Sequence, residues 1–331
     1  MILRTAFIVM ILMVVSSAAT SQDITDAVWA GDIERVEELL EAGADVNQPY
    51  TNRFTLIYWA KTPEMVELLL AHGAKLDIRT AASIQSPIEH FAEKYFRDRE
   101  HRDTWKRIIG MLREAGAEYT IDTAIYMNDV EFVQQELAKD ASWVNKTRNA
   151  QSVALRLAAR TGRVEICKLL LEHGADPDDF EQGAGYPIMV DAIDHPEVVA
   201  LLIEHGANLR RRITWRGGRT GVWILGDEAT ALHFAIRAGN VESVKLLVAA
   251  GLDTSATDDN GYTPLHAAVL FSGLGYGRPV KTSSFVQIIE HLLQNDASLR
   301  LSDKQGRTPL QLAEEHKARI EIRNALQRRM G

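Results

Sequence analysis

The chain has 331 residues, 46% hydrophobic and 25% charged, the balance of an ordinary globular protein. Its formal net charge of −8 leaves no basic excess for neutralising phosphates, so nucleic acid is not an expected partner. A single cysteine, Cys167, rules out an intrachain disulfide, and the length suits two domains or one long array.

The amino terminus has the pattern of a secretory leader. Arg4 gives a positive start, Ala6 to Val15 is a continuous apolar run, and Ser16-Ser17-Ala18-Ala19 offers small residues for cleavage after Ala19. The expectation is a signal peptide over residues 1–19 and a mature chain that is periplasmic or secreted. The apolar run falls short of the roughly 20 residues a spanning helix needs, and retention of residues 5–19 as a membrane anchor is the competing outcome. No cysteine follows the run to carry a lipid.

From there the chain repeats itself. Leu39-Leu40-Glu41-Ala42-Gly43-Ala44-Asp45 recurs as Leu69-Leu70-Ala71-His72-Gly73-Ala74, and as Met111-Leu112-Arg113-Glu114-Ala115-Gly116-Ala117. Further copies are Leu170-Leu171-Glu172-His173-Gly174-Ala175-Asp176, Leu202-Ile203-Glu204-His205-Gly206-Ala207-Asn208 and Leu247-Val248-Ala249-Ala250-Gly251. Each reads as a helix end: paired apolar residues on one face, another a turn earlier (Val36, Val66, Ile109, Val199, Val244), then a glycine able to adopt the left-handed conformation. Asp140-Ala141 and Asp296-Ala297 stand where Gly-Ala would, as weaker caps.

Ile24 to Trp29 and Ile121 to Tyr126 both read as opening helices, so a seam is expected near Glu118 to Thr123. The array either bends there or divides into blocks 21–119 and 120–331, of about three and six repeats; one continuous array with an irregular repeat is an equal alternative. Three insertions lengthen repeats: Glu93 to Trp105, as charged solvated turns; Arg210 to Asp227; and Phe271 to Ser284.

The clearest copy is Asp259-Asn260-Gly261-Tyr262-Thr263-Pro264-Leu265-His266-Ala267-Ala268. Asn260-Gly261 supplies a turn, Thr263 a helix cap and Pro264 a first helical residue that needs no N–H. His266, like His233 in Thr230-Ala231-Leu232-His233, is expected to hydrogen-bond near the cap. Thr308-Pro309-Leu310-Gln311 opens the last copy, whose closing segment 303–331 is polar enough to face solvent as a cap.

These motifs, at a period of roughly 33 residues, resemble the ankyrin repeat family. The resemblance implies an all-α fold: a solenoid of about nine helix-turn-helix units with short β-hairpin fingers. It also implies protein recognition on a concave face built from the finger tips and first helices. Carried onto this chain, the contact positions are Asn260, Tyr262, Gln305, Arg307 and Arg237. Composition adds Arg211, Trp215 and Trp223, because Arg210, Arg211, Arg212, Arg216 and Arg219 interleave with two tryptophans in an acidic chain. The competing reading packs those tryptophans on the array and leaves the arginines solvated.

The remaining constellations have plainer explanations. His72, His173 and His205 all precede a helix-ending glycine, where a cation suits the helix dipole, so no metal site is expected. Cys167 takes the place of the recurring Val or Ile and reads as a buried small hydrophobe. Gly217-Gly218 and Gly273 to Gly277 lack the Lys-Ser/Thr of a phosphate loop. Asp178-Asp179 and Asp258-Asp259 read as solvated turn carboxylates. No catalytic motif and no cofactor site is expected. The expected function is a non-catalytic, monomeric interaction module of the cell envelope that binds another protein. The alternative is an immunity or chaperone-like factor for a specific enzyme.

Overall fold

A computed structural model describes residues 23–49, 54–77, 85–146, 153–179, 186–213, 225–274 and 280–328. The leader, Trp215, Trp223 and the glycine clusters 217–221 and 275–277 lie outside them. The chain forms two compact units, residues 1–133 and 134–331, a division that falls past the expected seam at 118–123.

The first unit holds α1 (residues 23–30), α2 (Ile33–Glu41), a 3-10 turn (Leu56–Trp59), α3 (Pro63–Ala71), α4 (Pro87–Arg97), α5 (Arg102–Glu114) and α6 (Ile121–Met127). Helix α7 (Val130–Lys139) leads into the second. There follow α8 (Ala154–Thr161), α9 (Val164–Glu172), α10 (Ile188–Ala192), α11 (Pro196–Glu204), α12 (Ala231–Ala238) and α13 (Val241–Ala249). The chain ends with α14 (Pro264–Leu274), α15 (Thr282–Gln294), α16 (Pro309–Glu315) and α17 (Ile320–Gln327).

Several helices start where a short polar side chain satisfies an otherwise unpaired N–H. Thr62, Thr120, Asn240 and Thr308 accept from the N–H three residues on. They stop where glycine turns left-handed: Gly73 at φ +82° lets its own N–H reach Leu70 O and the Ala74 N–H reach Leu69 O. The same pair of bonds closes α2, α5, α9, α11 and α13. Asp296 adopts the left-handed conformation in place of glycine, at φ +63°. Asp140 does not; its carboxylate instead takes the N–H and hydroxyl of Ser142.

Within the second unit, first helices α8, α10, α12, α14 and α16 pack in sequence, and so do second helices α9, α11, α13 and α15. The core lies between the two rows, in residues such as Leu155, Ile166, Leu202, Leu232, Leu247, Leu265 and Ile288. In the first unit the 3-10 turn, α4 and α6 pack in sequence beside α2, α3 and α5. Cys167 is buried in its row, and burial pushes its thiol up to about 12, so it is an inert filler.

Two expectations change. Among the described residues the fingers form no ladder; the isolated pair Ile213 and Ala229 bridges antiparallel. Finger N–H groups go to carbonyls of the same finger, as where Asp258 N donates to Tyr262 O at 3.1 Å, to a buried aspartate, and to the neighbouring finger, as where Lys304 N donates to Asn260 O at 3.0 Å. The insertion at Glu93 to Trp105 is not merely solvated. Trp105, 7% exposed, stacks on Phe91 and donates its indole N–H to Asp98 at 3.0 Å, and Asp98 also caps the turn into α5.

Candidate functional site

Each finger of the last repeats is built on an aspartate. Asp258 Oδ1 accepts the N–H groups of Asn260 (2.9 Å) and Tyr262 (2.8 Å), and Asp303 Oδ1 does the same for Gln305 and Arg307 (both 2.9 Å). Both aspartates are buried, so the expectation of a solvated turn carboxylate fails for Asp258. Burial alone would raise the Asp303 carboxyl, but hydrogen bonds from Arg307 and Gln305 outweigh it and hold the group below the usual carboxylate range.

This scaffold brings three of the expected contact residues together. Arg307 Nη2 lies 3.4 Å from the Tyr262 hydroxyl and 3.3 Å from Gln305 Oε1, while Nε donates to Asp303 at 2.8 Å. Nη1 reaches Glu315 at 3.4 Å. The bond to Asp303 raises the guanidinium above its ordinary range, so it stays charged and fixed. Asn260 belongs to the same pair of fingers through its carbonyl. Arg237, half-buried at the end of α12, occupies the neighbouring first helix, and burial lowers it from its ordinary value.

The arginines at the start of the long insertion are not simply solvated. Arg211 Nη1 donates to Asp178 O at 2.8 Å, and Arg212 Nη1 donates to Glu228 O and Thr257 O, both at 2.9 Å. Both side chains tie fingers together. His173 and His205 each turn Nδ1 to a carbonyl of their own last helical turn, Leu169 at 2.8 Å and Leu201 at 2.9 Å.

Several structural residues escaped the sequence reading. Asn47 and Asn145 bridge repeats: Asn47 donates to Gly73 O and accepts from Lys75 N, and Asn145 bonds Gly174 O and Asp176 N likewise. The Val-Asn pair shared by Val46-Asn47 and Val144-Asn145 was the available signal. Arg156, wholly buried, pairs with Asp191 at 2.6 Å, which nothing local announces. An aromatic group of Phe54, Tyr58, Trp59 and His90 gathers in the first unit.

Models of the ankyrin repeat match residues 121–213, 218–276 and 260–304, together more than half of the chain. The chain belongs to the ankyrin repeat family. It is 26% identical over 255 residues to the putative palmitoyltransferase ZDHHC13 of Danio rerio, covering 76% of this chain and 33% of that protein. It is 34% identical over 152 residues to the E3 ubiquitin-protein ligase KEG of Arabidopsis thaliana, covering 43% and 9%. The putative ankyrin repeat protein FPV031 of fowlpox virus is 26% identical over 175 residues, covering 51% and 45%. The chain thus spans less than half the length of each of these relatives. The crystal structure of an ankyrin repeat domain from Acinetobacter baumannii superposes with a TM-score of 0.51 at 27% identity, over 63% of this chain and 96% of that one. Among the described residues no helix is long and apolar enough to cross a membrane.

Proposed function

We propose that the chain is a non-catalytic recognition module that binds another protein with its fingers and first helices, and that residues 1–19 direct it to the cell envelope. The observation that carries the binding reading is the Tyr262–Arg307 contact across two successive fingers. Tyrosine and arginine are favoured binding anchors, and an arginine already fixed by Asp303 loses little freedom when a partner arrives. Ankyrin repeats generally serve protein recognition, which supports the same reading; the acyl-transfer and ubiquitin-ligase names belong to relatives several times longer than the match. The location rests on the leader pattern of Arg4, the apolar run to Val15 and the small residues to Ala19.

The test is photo-crosslinking in cells, with the reactive residue at position 262 or at position 168 on the outer face of α9, in chains that keep the leader. Crosslinks to a protein from 262 but not from 168, by a chain recovered from the envelope without residues 1–19, are the expected result. Crosslinks from 168 alone overturn the binding face. A cytosolic chain that keeps its leader overturns the location.

A further inference from the structure

The first compact unit holds two lysines that rest on indole rings and make no ion pair among the described residues. Lys61, just past the 3-10 turn, places Nζ 4.3 Å from the Trp29 ring centre and donates to the Trp29 carbonyl at 2.8 Å. Lys94, on α4, places Nζ 5.0 Å from the Trp105 ring and 5.5 Å from Phe91. Among the described residues neither lysine makes an ion pair. The carboxylates nearest in sequence to Lys94 are committed elsewhere. Asp98 is bonded to Trp105, His101 and the turn backbone, and Glu93 to Arg97 and Gln85.

The two ammonium groups also sense each other. Burial, and after it the charge of Lys61, hold Lys94 below the ordinary lysine range. The Asp98 carboxylate opposes this shift without forming an ion pair to Lys94. Two neighbouring lysines that make no ion pair stand out in a chain of net charge −8. Trp29, against which Lys61 rests, has 59% of its surface exposed. An incoming carboxylate gains attraction from both lysines, and an apolar side chain next to it gains contact with an open indole. The overall negative charge disfavours an extended polyanion or an anionic membrane surface as the source of that carboxylate.

We propose that Trp29, Lys61 and Lys94 seat an acidic, partly apolar segment of a partner protein, with carboxylates on the two amines and an apolar side chain against Trp29. This rests on the protein-recognition reading and names the chemistry of one part of the binding surface. The probe is a library of displayed random dodecapeptides panned against the full chain. Peptides rich in Asp and Glu are expected. Their affinity should fall about tenfold on the Lys61→Gln/Lys94→Gln double variant, recover with Lys→Arg at both positions, and weaken with salt. Trp29→Ala should cost several-fold, and its open position leaves folding, checked by the melting curve, unchanged. Binders that are not acidic, or that bind the double variant as well as the parent, overturn the site while leaving protein recognition standing. Recovery of no binder at all overturns both.

Discussion

His233 Nε2 lies 2.9 Å from the carbonyl oxygen of Tyr262, and His266 Nε2 lies 2.9 Å from that of Arg307. In both rings Nδ1 accepts the backbone N–H of the capping threonine, Thr230 at 3.3 Å and Thr263 at 3.2 Å. The neutral imidazole therefore carries its proton on Nε2 and donates it to the next finger. Tyr58, at the same register, donates to Gln85 O at 2.8 Å, and Arg156 donates to Tyr186 O at 3.3 Å. Glu89 cannot donate. It accepts from Ser86 N at 2.8 Å and from the Thr120 hydroxyl at 2.9 Å, so the polarity of that joint is reversed.

Replacing His233 by alanine removes both bonds, leaves the Tyr262 carbonyl with the Asp258 N–H as its partner and opens a cavity. The expected cost is about 2–4 kcal/mol. Glutamine should cost roughly half as much, because Gln311 shows that an amide at this register still accepts the threonine N–H, there from Thr308 at 2.9 Å. Urea midpoints of the two variants check the order.

Burial, helped by the charge of Lys94, lowers His90 to about 4. The unfolded ring takes up its proton near pH 6.5, so between that pH and about 4 the unfolded state binds more protons and stability falls as acid is added. Above the unfolded value the group has no effect on the slope. A His90→Phe variant should therefore lose about 2 kcal/mol less than the parent between about pH 7 and pH 5 in denaturant titrations.

Gly261 and Gly306 hold matching finger positions at φ +80° and +79°. A methyl group at Gly261 would meet the backbone nitrogen of Lys304 at 2.9 Å, whereas at Gly306 it meets nothing within 4 Å. Gly306→Ala should cost only the left-handed strain, about 1–2 kcal/mol. Gly261→Ala should cost more, because the fingers must also separate, and the gap between their melting temperatures measures that close approach.

Arg156 and Asp191 have side chains 1% and 6% exposed. Arg156→Leu takes the guanidinium from the buried Asp191 carboxylate and from the Asp179 and Tyr186 carbonyls, and should cost about 3–5 kcal/mol. Adding Asp191→Leu should recover part of that loss. A double variant less stable than the single would contradict this account.

The helix ends were legible in sequence because they are local. Gly73 and Ala74 close α3 with bonds to Leu70 and Leu69 that lie within one turn. The caps at Thr263 and His266 were legible for the same reason. The second bond of His266 was not, since it reaches 41 residues along the chain, past an insertion that shifts the spacing. Nor was the register shared by Tyr58, Glu89, Arg156 and His233, since four different side chains meet one geometric demand. At the candidate face the residue types of Tyr262, Gln305 and Arg307 were readable, but their mutual contacts needed the fold. Asp258 was misjudged because a carboxylate bonded to three backbone N–H groups can be buried, and no local pattern shows all three.

The reversed joint at Glu89 has a consequence for how such a chain can change. At Tyr58, Arg156, His233 and His266 the side chain offers a proton to a peptide carbonyl, so the following repeat contributes only backbone, which every sequence possesses. Glu89 instead asks its successor for a hydroxyl, and Thr120 answers. Deletion or transposition of the repeat that begins at Thr120 would leave two acceptors opposed, so the order of these neighbours is written into their chemistry, while the histidine-linked repeats stay free to be shuffled or duplicated.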